Sequence, residues 1–253
     1  MRIEHQFSIA GFEVSVSFPD GWDADTLLPS FRPFYGKKEG QEKALLKCTV
    51  CTSVENKAAM PSGELIENTL SDMVYVSLYK EAEGYCVTLS AEQGGTLHVM
   101  QTDRRFSTVR VYLHEEDKRA GHALSSLLRI AYSQAVLYWD AVSIHASAVY
   151  CENKAFLFME KSGTGKSTHS SLWMKYIQGT ELLNDDNPTL RIVDGKVYAY
   201  GTPWSGKTPC YKSLSYPVGG MVRLKQAPAN RFVRQQEIEA FIALFPGCCV
   251  IHQ

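Results

Sequence analysis

The sequence predicts a mixed α/β protein: a strand-rich region over residues 1–117, a helix over 118–139, and an α/β domain over 140–253. Three observations predict it. Short segments of alternating polarity follow one another from Ile3 to Tyr112. The apolar period then changes to that of a helix between Ala120 and Tyr138. Finally, an apolar run at Ala155–Met159 passes through a glycine-containing turn into a second helical pattern. Alternation with period two marks strands, and the i, i+3, i+4 pattern marks helices.

In the first region Phe7 and Ile9, then Phe12, Val14, Val16 and Phe18, alternate on either side of Ala10-Gly11, which reads as a hairpin closed by Pro19-Asp20-Gly21. Phe31 to Tyr35 is aromatic and contains Pro33, and is expected as a packed loop. Lys37 to Lys43 is polar and is expected as a surface turn. Leu45–Val54, Val74–Tyr79, Tyr85–Ser90, Thr96–Met100 and Ser107–Tyr112 are expected as short strands of an antiparallel array. His98 and His114 stand singly in this region and read as satisfied core or surface residues. Ala120, Leu124, Leu127, Leu128, Ala131, Ala135 and Val136 mark one face of an amphipathic helix that is expected to bridge and pack the two halves.

From residue 142 onward the signals are those of a parallel sheet. Val142–Val149 is an apolar strand carrying His145, and Asn153 marks the following turn. Ala155–Met159 is a buried strand, Ser162–Thr168 a tight turn, and a helix begins at Ser167 and Thr168. Leu172, Trp173, Tyr176 and Ile177 follow at helical spacing, and Gly179 is placed to stop the helix. Glu181 to Pro188 reads as a strand ending in Asp185-Asp186. Leu190–Val193 and Lys196–Tyr200 form a hairpin about Asp194-Gly195. Gly201–Lys207 is a loop, Val218–Leu224 a strand and Glu237–Leu244 a helix.

The run Ser162-Gly163-Thr164-Gly165-Lys166-Ser167-Thr168 has the chemistry of a phosphate cradle. Glycines permit positive φ. Backbone N–H groups of the loop and of the helix N-terminus then point at one anion, and the helix dipole favours its charge. In this pattern Lys166 reaches the β- and γ-phosphates and the Ser167 hydroxyl holds Mg²⁺. Glu160 stands where the full pattern has its first glycine. The alternative is a glycine-rich turn with a surface lysine. Asp185 and Asp186 follow by one strand, where one carboxylate can hold Mg²⁺ and another can accept the proton of an attacking hydroxyl. An Asx-rich turn before Pro188 is the structural alternative. His145 stands either over the transferred phosphate or as a buried polar residue with a backbone partner. Lys207 and Arg223 are candidates for neutralising transferred charge, or are solvated cations.

Composition excludes several classes. A net charge of −1 supplies no electrostatic attraction for nucleic acid. No apolar run reaches membrane-span length, and Met1-Arg2-Ile3-Glu4-His5 has no signal-peptide character. The seven cysteines are odd in number and scattered, which argues against a disulfide framework and suits a cytoplasmic setting. Cys48-Thr49-Val50-Cys51 is a lone C-x-x-C on an expected strand, and ordinary half-buried cysteines are the reading for it.

Taken together, Ser143-Ile144-His145-Ala146-Ser147-Ala148-Val149, Ser162–Ser167 and Asn184-Asp185-Asp186 resemble the C-terminal catalytic domain of HPr kinase/phosphorylase. The loop and acid pair are also similar to ATP-dependent phosphoenolpyruvate carboxykinase. The resemblance covers about residues 140–205. It implies a P-loop domain of the PEP carboxykinase/HPr kinase type. It also implies ATP and Mg²⁺ at Lys166 and Ser167, and the acid pair in metal and base roles without saying which acid takes which; Ser167 and Asp186 are the expected metal ligands. His145 matches the histidine on the strand before the loop. The glycine-rich signature that follows the acid pair in HPr kinases is replaced here by Gly201–Lys207, and the N-terminal half does not resemble the HPr kinase regulatory domain. The chain ends soon after Phe245-Pro246-Gly247, where relatives often carry further helices. The sequence is also similar to HPr-kinase-related proteins found beside peptide-modification genes. The expected activity is therefore a kinase acting on a hydroxyl, a serine of a peptide or protein. The expected catalytic residues are Asp185, Asp186, His145 and Lys207, with self-association into a homo-oligomer left open. The rivals are a nucleotide-binding sensor module without transfer activity, and a carboxykinase-like metabolic enzyme.

Overall fold

The computed structural model describes residues 2–36, 44–53, 60–71 and 74–251. The turn expected over 37–43 and the last residue of the strand expected to end at Val54 lie outside the described residues. The fold is mixed α/β, rich in sheet and poor in helix, and divides into two compact units. One runs to Trp139 and takes in Ile251; the other is Asp140–Val250.

The first unit is built on one sheet. Its described elements are β1 (Arg2–Ile9), β2 (Phe12–Pro19), the short helix α1 (Ala24–Leu27), a 3-10 helix at Pro29–Phe34, β3 (Ala44–Thr52), β4 (Glu64–Ser71), β5 (Val74–Lys80), β6 (Gly84–Ser90), β7 (His98–Asp103), β8 (Thr108–Leu113) and the helix α2 (Ala120–Ala135). Among the described residues the strand order is β1-β2-β3-β8-β7-β6-β5-β4. The array is not wholly antiparallel, as the sequence suggested. β3 inserts between β2 and β8 and runs parallel to both, while the remaining pairs are antiparallel. The β1–β2 turn is where the alternation placed it, with Ala10 and Gly11 at φ of 51° and 78°. The aromatic segment expected as a loop is the 3-10 helix, which buries Phe31 and Phe34. β4 escaped the sequence reading because residues 64–70 are exposed and leave no apolar alternation.

Helix α2 lays Leu124, Leu127, Leu128 and Ala131 against the sheet, touching β3, β6, β7 and β8. It continues through a 3-10 turn at Val136–Tyr138. Cys48 and Cys51 lie three residues apart on β3, so their side chains leave opposite faces of the strand. Such a pair cannot chelate one ion or close a disulfide. None of the seven cysteines is in a disulfide among the described residues.

His98 is buried in this unit. Its Nε2 lies 2.9 Å from Asp117 Oδ2, and the backbone N–H of His114 points at its Nδ1 at 3.4 Å. That pattern fits a neutral ring donating through Nε2. Burial pushes the His98 pKa down, and the Asp117 carboxylate offsets part of the shift. A depressed folded-state value means that, as pH falls through the ordinary histidine range near about 6.5, the unfolded chain takes up a proton that the folded chain refuses. The folded state therefore loses stability in that window and keeps it above. We expect His98→Gln to flatten the pH dependence of the urea midpoint between about pH 7 and 5. A slope unchanged from wild type would contradict this.

The second unit carries β9 (Ala141–Ser143), β10 (Ala146–Cys151), β11 (Lys154–Met159), α3 (Lys166–Tyr176), β12 (Glu181–Asp186), β13 (Thr189–Val193), β14 (Lys196–Tyr200), β15 (Ser215–Arg223) and α4 (Glu237–Leu244). Among the described residues its sheet order is β12-β10-β11-β15-β14-β13-β9. The parallel signals held for one pair only: β11 and β15 are parallel, and the other pairings are antiparallel. The strand expected over Val142–Val149 is two strands. β9 and β10 are separated by Ile144 and His145 in the chain, but by four strands in the sheet order. Two linking residues reach only about 10 Å, so the sheet curls until β9 returns towards β10. The break is held open by backbone bonds, Ile144 N–H to Pro188 O and His145 N–H to Gly247 O.

One face of this sheet packs Ile144, Ala146, Ala148, Leu157, Met159, Leu183 and Leu190 into a core. On the other face Val149, Phe158 and Leu182 pack with Trp173 of α3. The apolar face expected on α3 is largely absent: only Trp173 of the four residues packs inward, against Phe156 and Phe158, while Leu172, Tyr176 and Ile177 are exposed. Small side chains, Ser147 and Ser170, fill the contact between β10 and the helix.

Candidate active site

β11 and β15 run side by side and end together, and the loop that leaves β11 at Glu160 sits beside Arg223, the last residue of β15. Gly163 and Gly165 adopt φ of 82° and 110°. A Cβ at either would meet nothing within 4 Å. Backbone conformation, not crowding, therefore demands glycine there. Gly165 is the N-cap of α3, and Lys166 is the first helical residue. The Thr164 hydroxyl donates to Lys161 O at 2.8 Å and closes the turn. Ser162, Ser167 and Thr168 complete the loop and the first turn of the helix, as the sequence placed them.

The Lys166 ammonium folds back over the loop. It donates to Glu160 O at 2.6 Å and to Lys161 O at 3.3 Å. Partial burial lowers its pKa, and the carboxylates of Asp186, Asp185 and Glu160 offset part of that, in this order. The acid pair is therefore close enough to Lys166 to stabilise its positive charge. Glu160, in the place of the pattern's first glycine, is ion-paired: its carboxylate accepts from Arg223 Nε at 2.8 Å and from Lys161 N–H at 3.1 Å. The Arg223 hydrogen bond is the first cause of its lowered pKa. Arg223 thus stands at the loop, where the sequence left a choice between site and solvent.

Asp185 and Asp186 are the last two residues of β12. Asp185 is 6% exposed; its Oδ1 accepts from the Ser147 hydroxyl at 2.8 Å, and its buried Oδ2 has no hydrogen-bond partner among the described residues. A buried carboxylate oxygen without a donor is costly unless a ligand completes it. Asp186 accepts from the Asn187 amide, and its Oδ1 lies 3.8 Å from His145 Nε2. His145 is in the break between β9 and β10, partly exposed, so the structure brings it to the acid pair. Its backbone N–H donates to Gly247 O at 2.7 Å.

The turn that carries the acids is organised by Asn184, which the sequence reading named with the acid pair but gave no role of its own. Asn184 is fully buried. Its Oδ1 accepts from the backbone N–H groups of Asp186 and Asn187 at 3.0 and 2.8 Å. Its amide reaches the carbonyl oxygens of Trp204 and Thr202 at 2.9 and 3.3 Å. The Asx turn is thus present and centred on Asn184, and within it the Asn187 amide donates to the Asp186 carboxylate. The same contacts fasten the loop after Gly201 to β12. Gly206 N–H donates to Asp185 O at 3.2 Å, and a Cβ at Gly206 would come within 2.7 Å of that oxygen. Lys207 follows directly and is exposed. Ser147 and Ser170 were also missed, because neither a serine between alanines on a strand nor a serine within a polar helix turn gives a signal of its partner.

Asn184→Ala strips partners from several buried backbone groups at once. With an unsatisfied buried group costing about 1–3 kcal/mol, we expect a loss of about 2–4 kcal/mol in urea unfolding. A loss below about 1 kcal/mol would show that the turn holds itself.

Among the described residues no group of three or more His, Cys, Asp or Glu is placed to hold a metal alone. A Mg²⁺ that arrives with a nucleotide needs only one or two carboxylates, the phosphates filling other positions. The hard oxygen donors here, the Asp186 carboxylate and the Ser167 hydroxyl, suit that requirement. No family model matches the chain, and no curated protein matches it either.

Proposed function

We propose that the second unit is an ATP-dependent phosphotransferase of the HPr kinase type, acting on a hydroxyl, a serine of a peptide or protein. The observation that carries this reading is that the helix opened by Lys166 is tied to the acid pair, Ser170 of α3 lying 2.6 Å from the Ser147 hydroxyl, which donates to Asp185 Oδ1 at 2.8 Å. A phosphate-cradling loop alone binds a nucleotide. A carboxylate pair beside it, one oxygen of which lacks a partner, adds the means to activate an acceptor.

In this reading the loop N–H groups of Ser162–Ser167 and the Lys166 ammonium hold the β- and γ-phosphates. Lys166 must leave the carbonyls of Glu160 and Lys161 to do so. Asp186 and the Ser167 hydroxyl would hold Mg²⁺, which would supply charge neutralisation to the phosphates. Asp185 Oδ2 is buried in the unliganded protein; once uncovered, it accepts the acceptor's hydroxyl proton as the acceptor oxygen bonds to the γ-phosphorus. The bond from that phosphorus to the β–γ bridging oxygen breaks, and its electron pair leaves with ADP. His145 orients Asp186, and Lys207 and Arg223 carry positive charge at the rim for the transferred group.

The test is ADP release from Mg-ATP with and without serine-bearing polypeptides. Acceptor-stimulated release is expected. Saturable ATP binding with no ADP release for any acceptor would favour the rival reading, a nucleotide sensor. Turnover that depends on a small carboxylic acid would favour a carboxykinase-like enzyme.

A further inference from the structure

A chain of three side chains links the nucleotide helix to the acid pair. Ser170 lies on α3 one turn beyond Lys166, is 1% exposed, and its hydroxyl is 2.6 Å from that of Ser147. Ser147, on β10, is also 1% exposed, and its hydroxyl is 2.8 Å from Asp185 Oδ1. An ionised carboxylate only accepts, so Ser147 must donate to Asp185. A hydroxyl has one proton, so the Ser147–Ser170 bond must be donated by Ser170. The direction of the chain is thereby fixed: Ser170 to Ser147 to Asp185. It leaves Asp185 with one oxygen anchored and the other, Oδ2, buried and without a hydrogen-bond partner among the described residues.

We infer that Ser147 is a positioning residue which fixes the rotamer of Asp185 through Oδ1, reserves Oδ2 for the substrate, and ties that carboxylate to the seat of α3 through Ser170. The inference rests on the reading of Asp185 as the acceptor-activating carboxylate. Its physical basis is that a carboxylate bonded through one oxygen cannot rotate without breaking the bond. The bond runs through β10, directly beside β12, where Ser147 is the register partner of Asp185. The anchor is therefore as rigid as the sheet. The far end of the chain is on the helix that opens with the phosphate-binding lysine. A shift of α3 on nucleotide binding is felt at Asp185 through two short hydrogen bonds, while Lys166 itself needs neither.

The experiment measures Mg-ATP affinity by calorimetry and ADP release from Mg-ATP with water as the acceptor. It compares wild type with Ser147→Ala, Ser147→Thr, Ser170→Ala, Asp185→Asn and the Ser147→Ala/Asp185→Asn double variant. Removing a side chain that orients a reacting group costs about 10–100-fold in activity in comparable sites. We expect Ser147→Ala to lower kcat by about that factor with affinity changed less than about twofold. Ser147→Thr, which keeps the hydroxyl, restores most of the rate. Ser170→Ala gives a smaller drop in the same direction, and its mild truncation keeps the test open should Ser147→Ala not fold. The double variant is no slower than Asp185→Asn alone, because the two side chains act as one unit. A Ser147→Ala enzyme as fast as wild type overturns the inference, as does a double variant in which the two losses multiply. A fall in affinity equal to the fall in rate overturns it too, since that marks a displaced helix. Equal turnover by wild type and Asp185→Asn is a different failure: it removes the role of Asp185 in the phosphotransferase reading, and the inference with it.

Discussion

Replacing Lys166 with alanine is expected to weaken Mg-ATP binding by about 10- to 100-fold, the loss of one or two charge-assisted hydrogen bonds to phosphate. The fold should be indifferent. Among the described residues the Lys166 ammonium bonds to the loop carbonyls of Glu160 and Lys161, at the surface of a turn whose shape is set by Gly163 and Gly165. Its removal leaves those carbonyls to water. Calorimetry of ATP binding, paired with thermal unfolding of the unliganded protein, separates the two effects. Equal affinities for wild type and variant would mean that the loop is a turn and not a cradle. A large fall in the unliganded melting temperature would mean that Lys166 serves the fold.

The second large effect concerns the acids, and the two should differ. Asp185→Asn keeps the shape of the side chain, but Oδ2 can no longer take a proton efficiently. We expect turnover to fall by about 10²–10⁴-fold, the usual cost of losing a general base, with Mg-ATP affinity nearly unchanged. Asp186→Asn removes a charge that faces His145 and supports the Lys166 ammonium. There affinity and the Mg²⁺ requirement should shift together, with turnover following. Measuring both quantities for both variants decides the assignment. If the effects are exchanged, so are the roles. If neither quantity changes in either variant, the pair belongs only to the Asn184 turn.

Much of this arrangement was legible in the sequence, for a physical reason in each case. The loop was legible because positive φ at two positions two residues apart requires glycine, and because Lys-Ser-Thr opens a helix behind an apolar strand. The Asp194-Gly195 turn was legible for the same reason, with both residues at positive φ. Strand direction was not. An apolar run such as Val142–Val149 is equally apolar in a parallel sheet and in a curled antiparallel one, and nothing in Ile144-His145 announces that the chain changes strands there. The packing of α3 was misjudged because helical spacing of Leu172, Tyr176 and Ile177 does not say which face meets the sheet. The face that does so carries Ser170, whose partner is 23 residues earlier. Long-range hydrogen bonds of that kind, Asn184 to Trp204 included, have no local signature, and they set the geometry of the acid pair.

The central claim is that the loop lysine and the acid pair act on one phosphoryl group and deliver it to a hydroxyl. The most direct measurement is the fate of the label from γ-labelled ATP with Mg²⁺ and candidate polypeptide acceptors. It should be made for wild type and Asp185→Asn in parallel. The account predicts that wild type yields phosphoserine in the acceptor with one ADP formed for each phosphate transferred, and that Asp185→Asn yields almost none. Label that stays in ATP, or that appears only as inorganic phosphate whatever acceptor is supplied, would contradict it.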